Sequence, residues 1–227
     1  MKKLSVIVPM LNEAGAIAAT LRAIRHGAPD AEIVVVDGGS IDTSVAVAKP
    51  LCDYVFVTRR GRAVQMNSGA RASHGDVLAF VHADTIVPAT FGGDIVSALS
   101  DIAVVGGRFD VRLDASALPY RVIGAMISLR SRISRTGTGD QAIFVRRDVF
   151  DRLGGFPALE LCEDLEFSRR LKRAGRVACL RSRVTTSARR WNRDGVVRTV
   201  VRMWLIRAMY LLGVPPARLK RMYSDTR

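Results

Sequence analysis

Three acidic positions stand where an α/β chain commonly does chemistry. The run Val77-Leu-Ala-Phe-Val-His-Ala-Asp-Thr85 reads as a buried strand that leads into a lone carboxylate, Asp84. Glu32-Ile-Val-Val-Val-Asp37 is a second apolar, β-branched run that ends in an acid, and Glu163-Asp164 opens a helix-like stretch after the Gly-Gly-Phe-Pro turn at 154–157. Ligands of open α/β sheets gather outside the carboxyl ends of the strands, so acids placed there are candidates for contact with a ligand. Asp37 can accept hydrogen bonds from a nucleobase or from ribose hydroxyls. Asp84 can hold Mg2+ or Mn2+, since such hard ions use one or two carboxylates and complete their shell with substrate phosphates and water. Glu163-Asp164 can supply a base. Together these types point to the handling of a nucleotide diphosphate. Asp42 reads instead as a helix cap, and His82 is open between a ligand and a satisfied structural residue. The segment from Val105 to Gln141 offers Arg108, Asp140 and Gln141 as acceptor-side candidates.

The elements that must position these residues follow a βαβ order. Strand-like runs at 4–9, 32–37, 54–58 and 77–82 alternate with helix-like segments at about 14–27, 41–49 and 63–73, the pattern of right-handed crossovers in a mostly parallel sheet. Ile17, Leu21 and Ile24 fall on one face of the first helix and predict the side that covers the sheet. Pro88 marks a turn and a helix start, and Val104–Phe109 reads as a further strand. A short strand at Ala142–Val145, a helix at Asp148–Leu153 and a helix at Glu163–Ala174 follow the loop Thr136-Gly-Thr-Gly-Asp140. The expected organisation is one α/β domain over 1–227, with a nucleotide-binding half at 1–104, an acceptor-binding half at 105–190 and basic C-terminal helices at 191–227.

Charge sharpens the picture once it is divided along the chain. The formal net charge is +14, yet residues 1–168 hold 18 Lys/Arg against 19 Asp/Glu, and residues 169–227 hold 17 against 2. Such a block attracts phosphate-rich partners: an anionic membrane face, a nucleic acid or a diphosphate substrate. Aromatic residues make up only 6% of the chain, and the block contains no helix-turn-helix, RRM or zinc-finger pattern, which argues against nucleic acid. The apolar stretch Val196–Val214 is interrupted by Arg198, Arg202 and Arg207, each costing roughly 2.5–3.5 kcal/mol at a bilayer midplane, so it reads as a packed or surface-lying helix rather than a span. The N-terminus lacks the pattern of a signal peptide, which predicts a cytoplasmic protein, and the basic block at 169–227 leaves peripheral attachment to the inner membrane face open beside it. Cys52, Cys162 and Cys179 are widely spaced, with no C-x-x-C pair, and read as ordinary thiols. There is no G-x-G-x-x-G, no P-loop and no G-x-S-x-G elbow.

The ordered set Leu4-Ser-Val-Ile-Val-Pro-Met-Leu-Asn-Glu13, Val36-Asp-Gly-Gly-Ser-Ile-Asp42, Gln65-Met-Asn-Ser-Gly69, His82-Ala-Asp84 and Cys162-Glu-Asp164 resembles the motifs of family 2 glycosyltransferases with the GT-A fold. More narrowly, Gly61-Arg-Ala-Val-Gln-Met-Asn-Ser-Gly-Ala70 with His82-Ala-Asp-Thr85 and Arg189-Arg-Trp191 is similar to a small stand-alone branch described as associated with radical-SAM or selenium-domain genes. The resemblance implies a single Rossmann-like domain with a mixed, mostly parallel sheet. It also implies inverting transfer of a sugar from a nucleotide diphosphate, commonly UDP-linked, to a hydroxyl acceptor. Pro9, Glu13 and Asp37 would line the nucleoside pocket, with Arg62, Asn67 and His82 also on the donor side. Asp84 would bind Mn2+ or Mg2+ and Asp164 would be the catalytic base, while Glu163, Asp140, Gln141, Arg190 and Trp191 would face acceptor or diphosphate. Trp191 stays open between a stacking platform and core. Two departures stand out. His82 occupies the place of the first Asp of D-x-D, and Ser187 that of the Gln of Q-x-x-R-W, which points to addition of a single sugar rather than a polymer. The alternatives are a polyprenyl-phosphate glycosyltransferase, in which arginines grip a lipid phosphate, and, outside that class, a nucleic-acid-binding or catalytically dead protein.

Overall fold

The computed structural model of the chain describes residues 3–220 and 222–223. Strand β1 (Leu4–Met10) leads through a loop into helix α1 (Ile17–Gly27), then β2 (Glu32–Asp37), a short α2 (Ser44–Ala48) and β3 (Tyr54–Val57). Helix α3 (Arg62–Ala72) returns to β4 (Val77–Phe80), which is followed by the two-residue β5 (Thr85–Ile86), α4 (Phe91–Ala98) and the long β6 (Val104–Leu113). Then come α5 (Leu118–Ser134), β7 (Ile143–Arg146), α6 (Arg147–Arg152), α7 (Glu163–Ala174), β8 (Arg176–Thr186), α8 (Arg189–Asp194), α9 (Val196–Leu211) and α10 (Pro216–Lys220).

The described residues form one eight-stranded sheet, ordered β3-β2-β1-β4-β7-β6-β8-β5. Strands β3, β2, β1 and β4 are parallel, β7 runs antiparallel to both β4 and β6, and β8 is parallel to β6. Because β1 and β2 are covered on both faces, alternation reads out as two apolar layers rather than as apolar against polar. Val6, Val8, Ile33 and Val35 join Ile17, Leu21 and Ile24 of α1 in one cluster. Ile7, Val34 and Val36 join Ala63, Met66 and Ala70 of α3, with Phe150 and Phe167, in the other.

The expected strands and helices of the first half are present, with one shift at the site. The strand expected over 77–82 stops at Phe80, so His82 and Asp84 stand in the turn beyond it. Two long elements escaped the sequence reading. Helix α5 fills most of the interval between the strand at 104 and the loop at 136, and β8 takes eleven residues out of the stretch counted only as basic. The long apolar stretch from Val196 breaks after Leu211, and α10 follows it. Among the described residues no helix is long and apolar enough to cross a membrane.

Candidate functional site

A cavity of about 270 Å3 opens where the turn after β4, the Thr136–Gln141 loop, the start of α7 and the C-terminal helices come together. Its wall includes Arg62, His82, Asp84, Asp140, Glu163, Asp164, Arg190 and Trp191 from the sequence-based candidates. It also includes Arg130 and Trp204, and with them Arg189 and Arg207, which the sequence had offered only as part of a motif and as a break in an apolar stretch.

Backbone geometry aims the acids. Asn12 and Cys162 both hold left-handed φ angles, 51° and 66°, and each precedes a carboxylate, Glu13 and Glu163. Non-glycine residues avoid that region, and when they adopt it they cluster at functional sites. Glu13 is buried, with its backbone N–H donating to Ser44 Oγ at 2.7 Å. Its Oε2 accepts a hydrogen bond from Arg189 Nη2 at 2.5 Å, and the same nitrogen lies 3.2 Å from Asp84 Oδ2. Burial alone would weaken the charge on Arg189, but Glu13 and then Asp84 more than reverse this and hold the guanidinium charged. A residue of α8 thus ties the loop after β1 to the loop after β4.

Asp164, the second residue of α7, accepts from the Gly139 N–H at 2.7 Å through Oδ2 and from its neighbour Leu165 N–H at 2.6 Å through Oδ1. A β-carbon at Gly139 would come 2.4 Å from His82 Nε2, so a larger residue there would displace the imidazole. The negative charge of Asp164 reaches Arg62, Arg130 and Arg207. Burial, and then Asp164, push the Glu163 carboxyl up to about 7, against the pull of Arg62. Burial also raises Asp140, whose Oδ1 accepts from Thr138 Oγ1 at 2.5 Å. The guanidiniums of Arg130 and Arg207 are held below their usual range by burial and by lying near other arginines, Arg108 and Arg130 respectively. Nε and Nη2 of Arg130 are buried and donate to nothing among the described residues, whereas Arg207 donates to Thr136 Oγ1 at 3.2 Å. Buried donors are nearly always paired, so a guanidinium in a cavity wall with two open donors is suited to an anion. Cys162 also lines the cavity, but burial and the adjacent acids push its thiol up to about 12, which makes it a poor nucleophile.

Several candidates sit elsewhere. The carboxylate of Asp37 accepts from the N–H groups of Gly39 and Ser40, at 2.9 and 2.8 Å, and from Ser40 Oγ, so it is largely spent on its own turn. Pro9 is buried within β1, in register with Val36. The Asn67 amide exchanges two hydrogen bonds with the backbone of Phe156, at 2.8 and 2.9 Å, and braces the 154–157 turn rather than facing the cavity. Gln141 is fully buried and bonds Phe109 O and Ser131 Oγ, so it holds the loop rather than an acceptor. Arg108 is a buried partner of Asp110 beneath α5. Asp42 stands one residue before the N-cap Thr43 of α2 and accepts from the Ser44 N–H two residues on, a local turn rather than the expected cap. Trp191 is half-buried against the cluster of Leu113, Ile123 and Ala188, yet it also lines the cavity.

Among the described residues no group of three or more His, Cys, Asp or Glu converges as a metal cluster. Glu13 Oε2 and Asp84 Oδ2 nevertheless meet on one cationic nitrogen. Two hard oxygen donors are what a divalent ion needs from protein when phosphates and water complete its shell, so the set fits such an ion if the guanidinium yields the place.

Comparison with known proteins agrees with this architecture. No curated protein sequence matches the chain. Among solved structures, the mannosyltransferase PcManGT of Pyrobaculum calidifontis, determined with GDP-Man and Mn2+, superposes with a TM-score of 0.67 at 21% identity, covering 97% of this chain and 68% of that one. S. aureus TarS gives a TM-score of 0.66 at 17% identity, covering 97% of this chain but 42% of TarS. TarS 1-349 with UDP-GlcNAc gives 0.63 at 18% identity, over 82% and 58% of the two chains. At these identities the likeness establishes the fold, a GT-A domain with a mixed, mostly parallel sheet and C-terminal helices. The family model described as Glycosyl transferase family 2 matches residues 5–157, about two thirds of the sequence, and the chain belongs to that family.

Proposed function

We propose that the protein transfers a sugar, with inversion, from a nucleotide diphosphate donor to an acceptor oxygen bound beside Asp164. The observation that carries this reading is the convergence on one cavity of a fixed carboxylate at the start of α7, the Glu13–Arg189–Asp84 bridge and several arginines. Residues 1–104 would form the donor half and residues 105–190 the acceptor half. Asp164 takes the proton of an acceptor hydroxyl as its oxygen attacks the anomeric carbon from the side opposite the diphosphate. Arg62 and Arg189 supply positive charge for the departing diphosphate, as preorganised cations do where negative charge develops. Asp84, with Glu13 beside it, would hold Mn2+ or Mg2+, which when bound neutralises further charge on the same group. The donor favoured is UDP-linked. TarS has been solved with UDP and UDP-GlcNAc and the mannosyltransferase with GDP-Man, so competition between UDP and GDP decides the base.

A second reading is favoured by Arg130, whose buried donors point to an anion. The acceptor would then be a lipid phosphate, which needs no strong base. The test is turnover of UDP-glucose and UDP-N-acetylglucosamine with Mn2+, using water and then a polyprenyl phosphate as acceptor. Asp164→Asn should lower hydroxyl-type turnover by about 10²–10⁴-fold with UDP binding unchanged. Near-normal turnover of that variant, with loss in Arg130→Ala, would establish the phosphate acceptor instead.

A further inference from the structure

Helices α5 and α9 each bury one side and leave a continuous apolar stripe on the other. On α5 the exposed large residues are Leu118, Val122, Met126, Leu129 and Ile133, spaced by four, four, three and four. On α9 they are Val197, Val201, Trp204, Leu205 and Leu211, spaced by four, three, one and six, with Leu212 just beyond the helix. At 100° per residue each set covers roughly a third of its helix circumference or less, the width of a stripe built to meet a nonpolar phase. The two stripes belong to one surface. Ile123 and Ile127 on the covered side of α5 pack with Val196 and Val200 of α9, and the half-exposed Met126 and Trp204 both stand in the cavity wall.

The charges beside these stripes identify the occupant. Neither α5 nor α9 contains an acidic residue. Arg121 flanks the α5 stripe and the exposed Arg198 one border of the α9 stripe, where Arg202 behind it is paired with Asp194 at 2.9 Å; Arg207 stands at the other border in the cavity wall, and the exposed Arg218 and Lys220 follow on α10. Apolar side chains bordered by arginines, with a tryptophan among them, make the composition of a helix lying in a membrane interface. Neither helix is long and apolar enough to cross the bilayer. A second copy of the chain is a poorer partner, because two such faces would bring their arginines together.

We propose that α5 and α9 together form a docking face for an anionic lipid bilayer, with the cavity mouth between them turned toward the lipid. Half of this face lies in 118–134, outside the basic block of 169–227. The consequence for the transferase reading, on which this last step rests, is that the acceptor is carried by a lipid and enters from the membrane side.

The experiment is flotation of the full chain with vesicles of three parts phosphatidylcholine to one part phosphatidylglycerol, and with phosphatidylcholine alone. The wild type should float with the anionic vesicles, and Leu129→Glu with Val201→Glu should reduce the bound fraction by about tenfold. Ile102→Glu, at an exposed apolar residue outside both helices, should float like the wild type. Far-UV circular dichroism and UDP binding, measured on the same double variant, separate lost docking from lost folding or a failed transferase reading. Absence of flotation by the wild type, or flotation unchanged in the folded double variant, overturns the proposal. So does a wild-type dimer in solution that the double variant dissolves, since a second copy would then cover the face.

Discussion

Glu163 holds its proton close to neutrality while the neighbouring Asp164 is tied to two backbone N–H groups. The sign of the resulting pH dependence follows from linkage. A carboxyl whose pKa is higher in the folded state binds more protons there, so its contribution to stability is full below the unfolded value near 4.5 and is lost as pH rises through about 7. Glu163→Gln keeps the neutral form at every pH. Its stability relative to wild type, followed by chemical denaturation from pH 5 to pH 8, should gain progressively, reaching on the order of 3 kcal/mol at the alkaline end. A constant difference across that range would remove Glu163 as the titrating group. At the same scale, Arg189 competes with any cation for Glu13 and Asp84. Arg189→Ala should therefore bind Mn2+ more tightly in the absence of nucleotide, as read by the loss of free-ion signal in an electron paramagnetic resonance titration. Unchanged or weaker binding would mean that the guanidinium supports the ion rather than displacing it. Arg189 was hidden in the sequence beside Arg190 and Trp191. One residue along a helix rotates the side chain by about 100°, so Arg190 stacks 4.5 Å over the Tyr223 ring while Arg189 reaches the carboxylates.

At the scale of elements, α5 is fastened to the sheet by charge as well as by packing. Arg108, almost completely buried on β6, and Arg132 on α5 share the carboxylate of Asp110, and Arg108 also bonds Ser128 O on α5 at 3.3 Å. Asp110→Ala leaves a buried guanidinium without its counter-ion and should cost roughly 3–5 kcal/mol in chemical denaturation. A loss below about 1 kcal/mol would show that water or a neighbouring group replaces the carboxylate, as at an exposed pair. The elements that were hard to read share a cause. Helix α5 carries apolar residues on both its covered and its open side, which blurs the 3.6-residue signal, and Gly124 lowers its helix propensity further. In β8 the arginines at 176, 181 and 183 belong to a half-exposed strand, but their local density resembles a basic tail. By contrast β1 and β2 were legible as unbroken apolar, β-branched runs, and α1 because its apolar residues repeat on one face.

At the scale of the whole molecule, the acids at strand and helix ends were visible from sequence because hydrophobic runs frame them. Their counter-charges were not, since Arg130, Arg189 and Arg207 come from three different helices that only the tertiary fold brings to one cavity. The amides of Asn67 and Gln141 illustrate the converse. A side-chain amide suits a ligand and a backbone equally well, and here Phe156 and Phe109 claim them. The uneven charge likewise resolves into parts: α7 carries four basic residues and β8 three along a strand, while α8 and α9 bring Arg189, Arg190 and Arg207 to the cavity wall.

The bond between Glu13 and Arg189 spans 176 positions. On a ribosome elongating at about 5–20 residues per second, Glu13 would wait roughly 10–35 seconds for its arginine to be made. The part of the site around Glu13 is therefore completed only once α8 has been made, and a nascent chain that has already paired β1, β2 and β4 is still without the residue that joins its two carboxylates. Synthesis order alone delays assembly of the site until Arg189 has left the ribosome.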